Sequence, residues 1–565
     1  MNLRRNFHRL LGFSVAVILS AAVLSPQQNP APVSIEVRAD QPQGSLAPIW
    51  NYFGYDEPNF TYAPNGKKLL GELSALSRAP VYARTHNLFT SGDGSASLKW
   101  GSTNVYTEDA VGNPVYSWEI LDRIFDTYRE KGIKPLVEIG FMPEALSTHP
   151  EPYRHNFPNG SIYTGWTYPP KDYQKWAGLV FQFVRHLRQR YGDAELKSWL
   201  WEVWNEPDIA YWRGTPEEYF KLYDITVDAA LRAFPSARIG GPDSTGASYP
   251  KAAEFLRQFL EHCAHQKNYV TGRIGSHLDF ISFHPKGSPA WRNDHVEMGI
   301  SRQLASIEAG FKIVASFPEY QRTPVVLGES DPDGCAGCAA SRDPQYGYRN
   351  TSLFAAYVAE AIASTYALAA ETKVNLLGSV TWSFEFENQP YFEGYRELAT
   401  NGLDKPVLNT FRMFGLLSGN RVALKSSAAL PVEEMIRSGV RGASDVNGIA
   451  TRGERSIEIL LWNYHDDDVL APDAPISLKI EGLPLAAKNA LVEHFRVDPT
   501  HSNSYTAWKG MGSPQNPSQV EYESLEHAGH LQLLDSPEWK SVDGGTVKLE
   551  FPLPRESVSL LRISW

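Results

Sequence analysis

Two periodicities divide this chain. From about residue 46 to residue 417, short apolar runs alternate with long amphipathic stretches. Beyond about residue 418 the helical spacing stops. The apolar runs are Trp50–Gly54, Val81–Thr85, Lys134–Ile139, Leu200–Trp204, Arg238–Gly241, Phe280–Phe283, Val325–Leu327 and Ser379–Phe384, each the length of a buried strand. Between them, Trp176, Leu179, Val180, Phe183, Val184 and Leu187 recur at helical spacing. Thr215-Pro216-Glu217-Glu218 opens another helix, with a threonine cap, proline in the first position and a glutamate in the third. Asn350–Ala370 reads as a long alanine-rich helix. Eight strands alternating with helices predict an α/β fold, a (β/α)8 TIM barrel over residues 46–417. A doubly wound sheet is the alternative. It calls for a glycine-rich phosphate loop after an early strand, and none stands there.

The rest of the chain reads as β structure. Ser456–Tyr464, Ile476–Ile480, Asn489–Arg496, Thr546–Phe551 and Ser557–Trp565 are strand-like runs separated by Gly, Pro, Asn and Asp, which predicts a β-sandwich over 418–565. Pro514–Ser518 reads as a short polar loop. Ser34–Ala39 alternates polar and apolar, so residues 31–45 hold a strand outside the barrel that could join the sandwich.

Residues 1–30 resemble an export signal. Arg4, Arg5 and Arg9 precede the apolar run Leu10–Leu24, which is short for a membrane span, and a polar segment follows. Arg4-Arg5-Asn6-Phe7 is weakly similar to a twin-arginine motif, and without a clean cleavage site an uncleaved anchor stays open. The expected location is secreted or periplasmic, with no membrane partner for the mature protein.

A net charge of -11 with no basic run beyond the N-terminus argues against nucleic acid as a partner. Aromatic residues make up 12% of the chain, including 15 Trp and 27 Tyr, enough for large cores or for platforms that pack on sugar rings. Cys335 and Cys338 are a disulfide candidate suited to an oxidising compartment, and Cys263 reads as a buried thiol. Zinc needs about four ligands and no second CxxC is present, so no metal and no cofactor is expected.

Active groups of such a barrel stand at the C-terminal ends of its strands. Two carboxylates follow apolar strands directly: Glu206 after the fourth and Glu329 after the seventh. These strands lie on opposing sides of an eight-strand barrel, so the carboxylates can face each other across the mouth. A carboxyl in an apolar setting is expected to hold its proton longer, which suits a general acid. Glycoside hydrolysis needs such a pair, one group to protonate the leaving oxygen and one to attack or stabilise the anomeric carbon. Asn205, beside Glu206, would hydrogen-bond a sugar hydroxyl. A strand-ending Glu paired with a surface Arg is the structural alternative.

These residues resemble a known family. Asn205-Glu206 and Glu329 are similar to the catalytic groups of the retaining (β/α)8 glycosidases. Gly54-Tyr55-Asp56-Glu57-Pro58-Asn59, Glu138-Ile139-Gly140-Phe141-Met142-Pro143, Trp204-Asn205-Glu206-Pro207-Asp208, Phe280-Ile281-Ser282-Phe283-His284 and Asn401-Gly402-Leu403-Asp404-Lys405-Pro406 together resemble glycoside hydrolase family 39. The resemblance implies double displacement, with Glu206 as acid/base and Glu329 as nucleophile. It implies sugar contacts at Asn205, His284, Trp382 and Glu387, with His86 and Phe141 as weaker matches and Glu385 competing with Glu387. The segment after Trp382 is shorter than in the xylosidase pattern, which leaves the pocket rim open. The function so implied is an exo-acting β-D-xylosidase on xylo-oligosaccharides. Alternatives are an α-L-arabinosidase, another family 39 glycosidase including one endo-acting on exopolysaccharide, and a non-catalytic carbohydrate-binding protein. Strand-end cations are few (Arg84, Lys286, Arg396), which weighs against a uronidase.

Overall fold

The computed structural model describes residues 31–98, 100–156 and 161–565, apart from the side chains of residues 155, 156 and 161–164. The export-signal expectation for residues 1–30 lies outside these residues.

The eight apolar runs close into one parallel barrel. Its strands are Tyr52–Tyr55, Tyr82–Thr85, Lys134–Ile139, Leu200–Val203, Arg238–Thr245, Phe280–His284, Val325–Leu327 and Leu376–Trp382. Val380 lies opposite Tyr52 and Trp382 opposite Gly54, which joins the last strand to the first. Side chains along a strand alternate between faces, so residues two apart share the interior. One inward set is apolar: Tyr52, Leu136, Leu200, Phe280, Val326 and Val380 plug the barrel. Two residues further along stand Glu138 and Glu202, four residues after Phe280 stands His284, and Arg84 is two residues after Tyr82. The same alternation that fills the core therefore lifts a charged layer onto the C-terminal face.

The helices that cover the barrel start where the sequence marks them. Asp172 accepts from the N–H groups of Gln174 (2.8 Å) and Lys175 (3.1 Å) ahead of Tyr173–Tyr191. Thr215 and Glu218 form a reciprocal capping box ahead of Pro216–Ala233. Ser352–Thr372 is long and apolar enough to cross a membrane, but it is mostly buried. It packs against the sandwich, where Trp462 Nε1 donates to Glu360 at 2.7 Å.

The remaining chain forms a ten-stranded, mostly antiparallel sheet. Val33–Ser45 is one of its strands, antiparallel to Asn420–Ser426 and parallel to Ala474–Glu481. Ile35, Val422, Ile459, Leu478, Leu549 and Ile563, from strands across the whole order, share one core, so the sheet curls into a sandwich. Three helices here were not expected: Val432–Ser438, Ser504–Gly510 and Gln519–Gly529. The last two form a hairpin whose Leu525 and Trp508 pack on Phe392 and Leu403 in the segments after the eighth strand.

Candidate active site

The charged layer centres on Arg84, which is fully buried. Its guanidinium bridges the strand tips. It pairs with Glu202 and Asp243, lies 3.1 Å from Glu138, and donates to Asn205 Oδ1 (3.0 Å) and Glu329 Oε1 (3.3 Å). A planar cation with five donors can satisfy several carboxylates at once. Burial pushes Glu202 well above the usual carboxylate range, with Arg84 opposing it and Asp243 and Glu138 adding to it. Burial also raises Glu138, to about 7, against the pull of His86 and Arg84. Not every acid in this layer is therefore charged at neutral pH, which limits the repulsion among them.

Glu206 and Glu329 meet above this layer. One oxygen of Glu206, one of Glu329 and a ring nitrogen of His284 lie within 4.8 Å of one another. His284 Nδ1 lies 2.9 Å from Glu206 Oε1 and its Nε2 lies 2.8 Å from Asp243 Oδ2. Burial alone would lower His284, but Asp243, Glu329 and Glu206 reverse this and push it up to about 10. The ring is thus a cation, hydrogen-bonded through Nδ1 to Glu206 and ion-paired through Nε2 with Asp243.

Glu329 is held differently. Burial would raise it, but Lys286, His284, His86 and Arg84 overcome burial and hold it well below the usual carboxylate range. Lys286 Nζ is 2.5 Å from Glu329 Oε2 and 2.7 Å from Asp331 Oδ2. Glu329 is thus a carboxylate at neutral pH. Gly328 precedes it because any side chain there would collide with Asp243 Oδ1. Trp204, Glu206 and Asp243 hold positive φ angles of 74°, 45° and 54°. Such backbone costs about 1–3 kcal/mol per residue and clusters at functional sites.

The spacing of Glu206, His284 and Glu329 would also suit a metal. The donor set does not fit one. A protonated imidazole offers N–H groups rather than lone pairs, and both oxygens of Glu329 already face cations.

Other sequence-predicted residues fall into two groups. Asn205 accepts from Arg84, which leaves its NH2 group as a donor. His86 Nδ1 lies 2.7 Å from Asp56 and Nε2 3.0 Å from Glu138, and its ring is 4.3 Å from that of Trp382 and 6.1 Å from that of Phe141. Trp382 also lies under Arg84, 4.9 Å from the guanidinium carbon. These residues share the mouth with the two glutamates. Glu385 and Glu387 turn elsewhere. Glu385 accepts from the Gly402 N–H, and Glu387 accepts from the backbone and side chain of Asn65. Among the described residues, no hydrogen bond or ion pair links either to Glu206 or Glu329.

One expectation changes. The Glu206 side chain is 15% exposed and bonded to His284, so its surroundings are polar rather than dry. The three strand-end cations named from sequence converge. Arg84 and Lys286 hold Glu329, and Arg396 lies 3.6 Å from Asp331. Lys286 was named from sequence only as a strand-end cation, and Asp331 was not named. Their signal was position: Lys286 and Asp331 each stand two residues past a residue already marked, His284 or Glu329. Cys335 and Cys338 are joined by a disulfide, and Cys263 is free and buried.

The sequence pattern of glycosyl hydrolases family 39 matches residues 34–537. The chain belongs to this family. Its relatives include a β-xylosidase of Geobacillus stearothermophilus, 26% identical over 501 residues, covering 85% of this chain and 86% of that protein. They also include an α-L-iduronidase of Mus musculus, 24% identical over 519 residues, covering 88% of this chain and 75% of that protein. The crystal structure of a monomeric β-xylosidase from Caulobacter crescentus CB15 superposes with a TM-score of 0.73 at 22% identity, over 94% of this chain and 99% of that one. As a family 39 member the protein is a glycosidase, and its substrate is a carbohydrate.

Proposed function

We propose that this family 39 enzyme hydrolyses its substrate with retention, Glu329 attacking the anomeric carbon and Glu206 serving as acid and then base. The approach of one oxygen of each to within 4.8 Å supports the reading. Retaining pairs stand about 5–5.5 Å apart, whereas inverting pairs need roughly 6.5–9.5 Å to admit a water. The electrostatics agree. Cations keep Glu329 ionised for attack. His284 donates to one oxygen of Glu206 and can relay charge changes to Asp243. In the first step Glu329 forms the glycosyl ester while Glu206 protonates the departing oxygen. In the second, Glu206 takes a proton from water, which attacks the same carbon, breaks the ester bond and releases Glu329 as a carboxylate.

The sugar favoured is a terminal β-D-xylose, supported by the likeness to β-xylosidases over most of both chains. A uronide is the second reading, supported by Lys286. This cation sits on the nucleophile with its side chain 17% exposed, where it could meet a sugar carboxylate. The disulfide supports a location outside the reducing cytoplasm.

The test uses a 2-deoxy-2-fluoro-β-xyloside with a good leaving group. It should label the protein, and the added mass should map to the peptide carrying Glu329. Glu206→Gln should cut kcat on xylobiose by about 10²–10⁴-fold, the usual worth of general acid–base catalysis. A first-formed product of inverted configuration would overturn the mechanism. Turnover of β-uronides or α-L-iduronides but not xylosides would move the substrate to the second reading.

A further inference from the structure

A second pocket, of about 450 Å³, opens between the helix Ser352–Thr372 and the sandwich, and none of the residues described at the barrel mouth lines it. Small-molecule pockets run from about 300 to 1,000 Å³. Leu430, Met435, Ile449 and Trp462 give this one an apolar wall, and Arg421 and Lys425 give it two cations. The strand Asn420–Ser426 explains why both cations face this way. Val422 lies in the sandwich core, and side chains alternate along a strand. Arg421 and Lys425, four residues apart, therefore project together from the opposite face, toward the helix.

Neither cation has an acid. Arg421 is half-buried, yet among the described residues no ion pair or hydrogen bond holds it. Other arginines withdrawn from water in this chain are paired, Arg84 with Glu202, and Arg349 and Arg396 with Asp333. Tyr366, which acts on Arg421 from the helix, is kept in its neutral phenol form by burial. A charge removed from water is costly unless paired. Lys425 is exposed and also lacks an ion pair among the described residues. Glu360 is the only acid among the described residues of the wall. It turns one oxygen to Ser364 Oγ and the other to Trp462 Nε1, both at 2.7 Å, rather than to Arg421. Burial, then Asp445, push its ionisation well above the usual carboxylate range, which disfavours negative charge on this wall. Asn447 stands opposite Trp462 in the sheet, and its Oδ1 accepts from the Gly448 N–H at 2.9 Å, which leaves its NH2 group as a donor.

We propose that this pocket binds a small organic anion, a carboxylate on an apolar body. The planar guanidinium of Arg421 suits a bidentate grip on the carboxylate, and Lys425 and the Asn447 NH2 group supply further donors. The body lies against Met435, Ile449 and Trp462. The walls come from both the barrel helix and the sandwich, so a ligand here ties the two together and stabilises the folded protein.

The test titrates the full chain by calorimetry with 2-naphthoate. The probe 2-naphthamide offers the same body without the charge, and inorganic phosphate offers charge without the body. Naphthoate should bind at one site and raise the melting temperature. The amide and phosphate should each bind at least about tenfold more weakly, since one lacks the charge-assisted hydrogen bonds and the other the apolar contact. Arg421→Gln should weaken naphthoate binding at least about tenfold, the worth of a hydrogen bond to a charged group, without lowering the melting temperature of the free protein. Ala367→Phe, on an exposed position of the helix that lines the pocket, keeps both cations and should weaken binding by filling the space. No binding of naphthoate, equal binding of the amide or of phosphate, or binding indifferent to both substitutions overturns the proposal. A less stable free Arg421→Gln protein that still binds naphthoate normally would make the arginine structural and would also overturn it.

Discussion

At the scale of single residues, the site works by giving two carboxylates different surroundings. Glu329 faces Lys286, Arg84 and two histidines, whereas Glu206 meets one cation, His284, and solvent. In the proposed double displacement Glu329 must be ionised in the free enzyme, so its titration should set the acid limb of kcat/KM. Lys286 leads the cations that depress it. Removing that charge lets burial reassert itself, so Lys286→Gln should move the acid limb to higher pH. A pH–rate profile on the aryl xyloside checks this, and an unmoved limb would show that Lys286 does not tune the nucleophile. That Glu206 and Glu329 would meet at the mouth was legible because each directly follows an apolar strand. The cationic frame was not. Arg84 lies within a strand, and only the closed barrel brings its side chain to four acids from other strands. Glu385 and Glu387 were misplaced for a related reason. The short segment after Trp382 carries them toward Gly402 and Asn65, and segment length does not disclose direction.

At the scale of elements, the loop after the seventh strand is held twice over. The Cys335–Cys338 disulfide closes it, and buried Arg349 donates to the carbonyls of Cys335 (2.6 Å) and Cys338 (2.7 Å) while pairing with Asp333 (2.7 Å). Arg396 also reaches Asp333, at 2.9 Å. A disulfide over so short a loop restricts the unfolded chain little, about 2 kcal/mol by loop entropy. Breaking a buried ion pair from one side costs about 3–5 kcal/mol. Cys335→Ser/Cys338→Ser should therefore lose less stability in urea titration than Arg349→Met. The opposite order would mean that the disulfide, not the arginine, organises the loop. The eight barrel strands were readable because strands buried on both faces are continuous apolar runs, bounded by helices with clear caps. The helical hairpin at Ser504–Gly529 was not, because its two helices are short, with few apolar positions to set a period. Its one usable mark was Ser518 followed by Glu521, a capping box that the structure contains.

At the scale of the whole molecule, barrel and sandwich meet at a buried acid. Glu360, on the apolar helix Ser352–Thr372, accepts from Ser364 Oγ (2.7 Å) and from Trp462 Nε1 (2.7 Å). Trp462 also donates to Asp445, at 3.0 Å. One indole N–H thus serves two carboxyl groups from opposite sides of the junction. Burial, and then Asp445 beside it, push Glu360 well above its ordinary 4.5. The sign of the consequence follows from proton counting. Below 4.5 the group is protonated whether the chain is folded or not, and its full contribution to stability is present. As pH rises past that value the unfolded chain releases the proton while the folded protein keeps it, so stability falls until the folded group also ionises. Ionisation would then set two carboxylates against each other between the barrel and the sandwich. Glu360→Gln keeps an acceptor for Trp462 and has no proton to lose. Other buried acids such as Glu202 and Glu385 titrate in the same sense, so the informative quantity is the difference between variant and wild type. Melting temperatures measured across pH should show the variant gaining on the wild type as pH rises. A constant difference would mean that the junction holds Glu360 without bearing the cost of its ionisation.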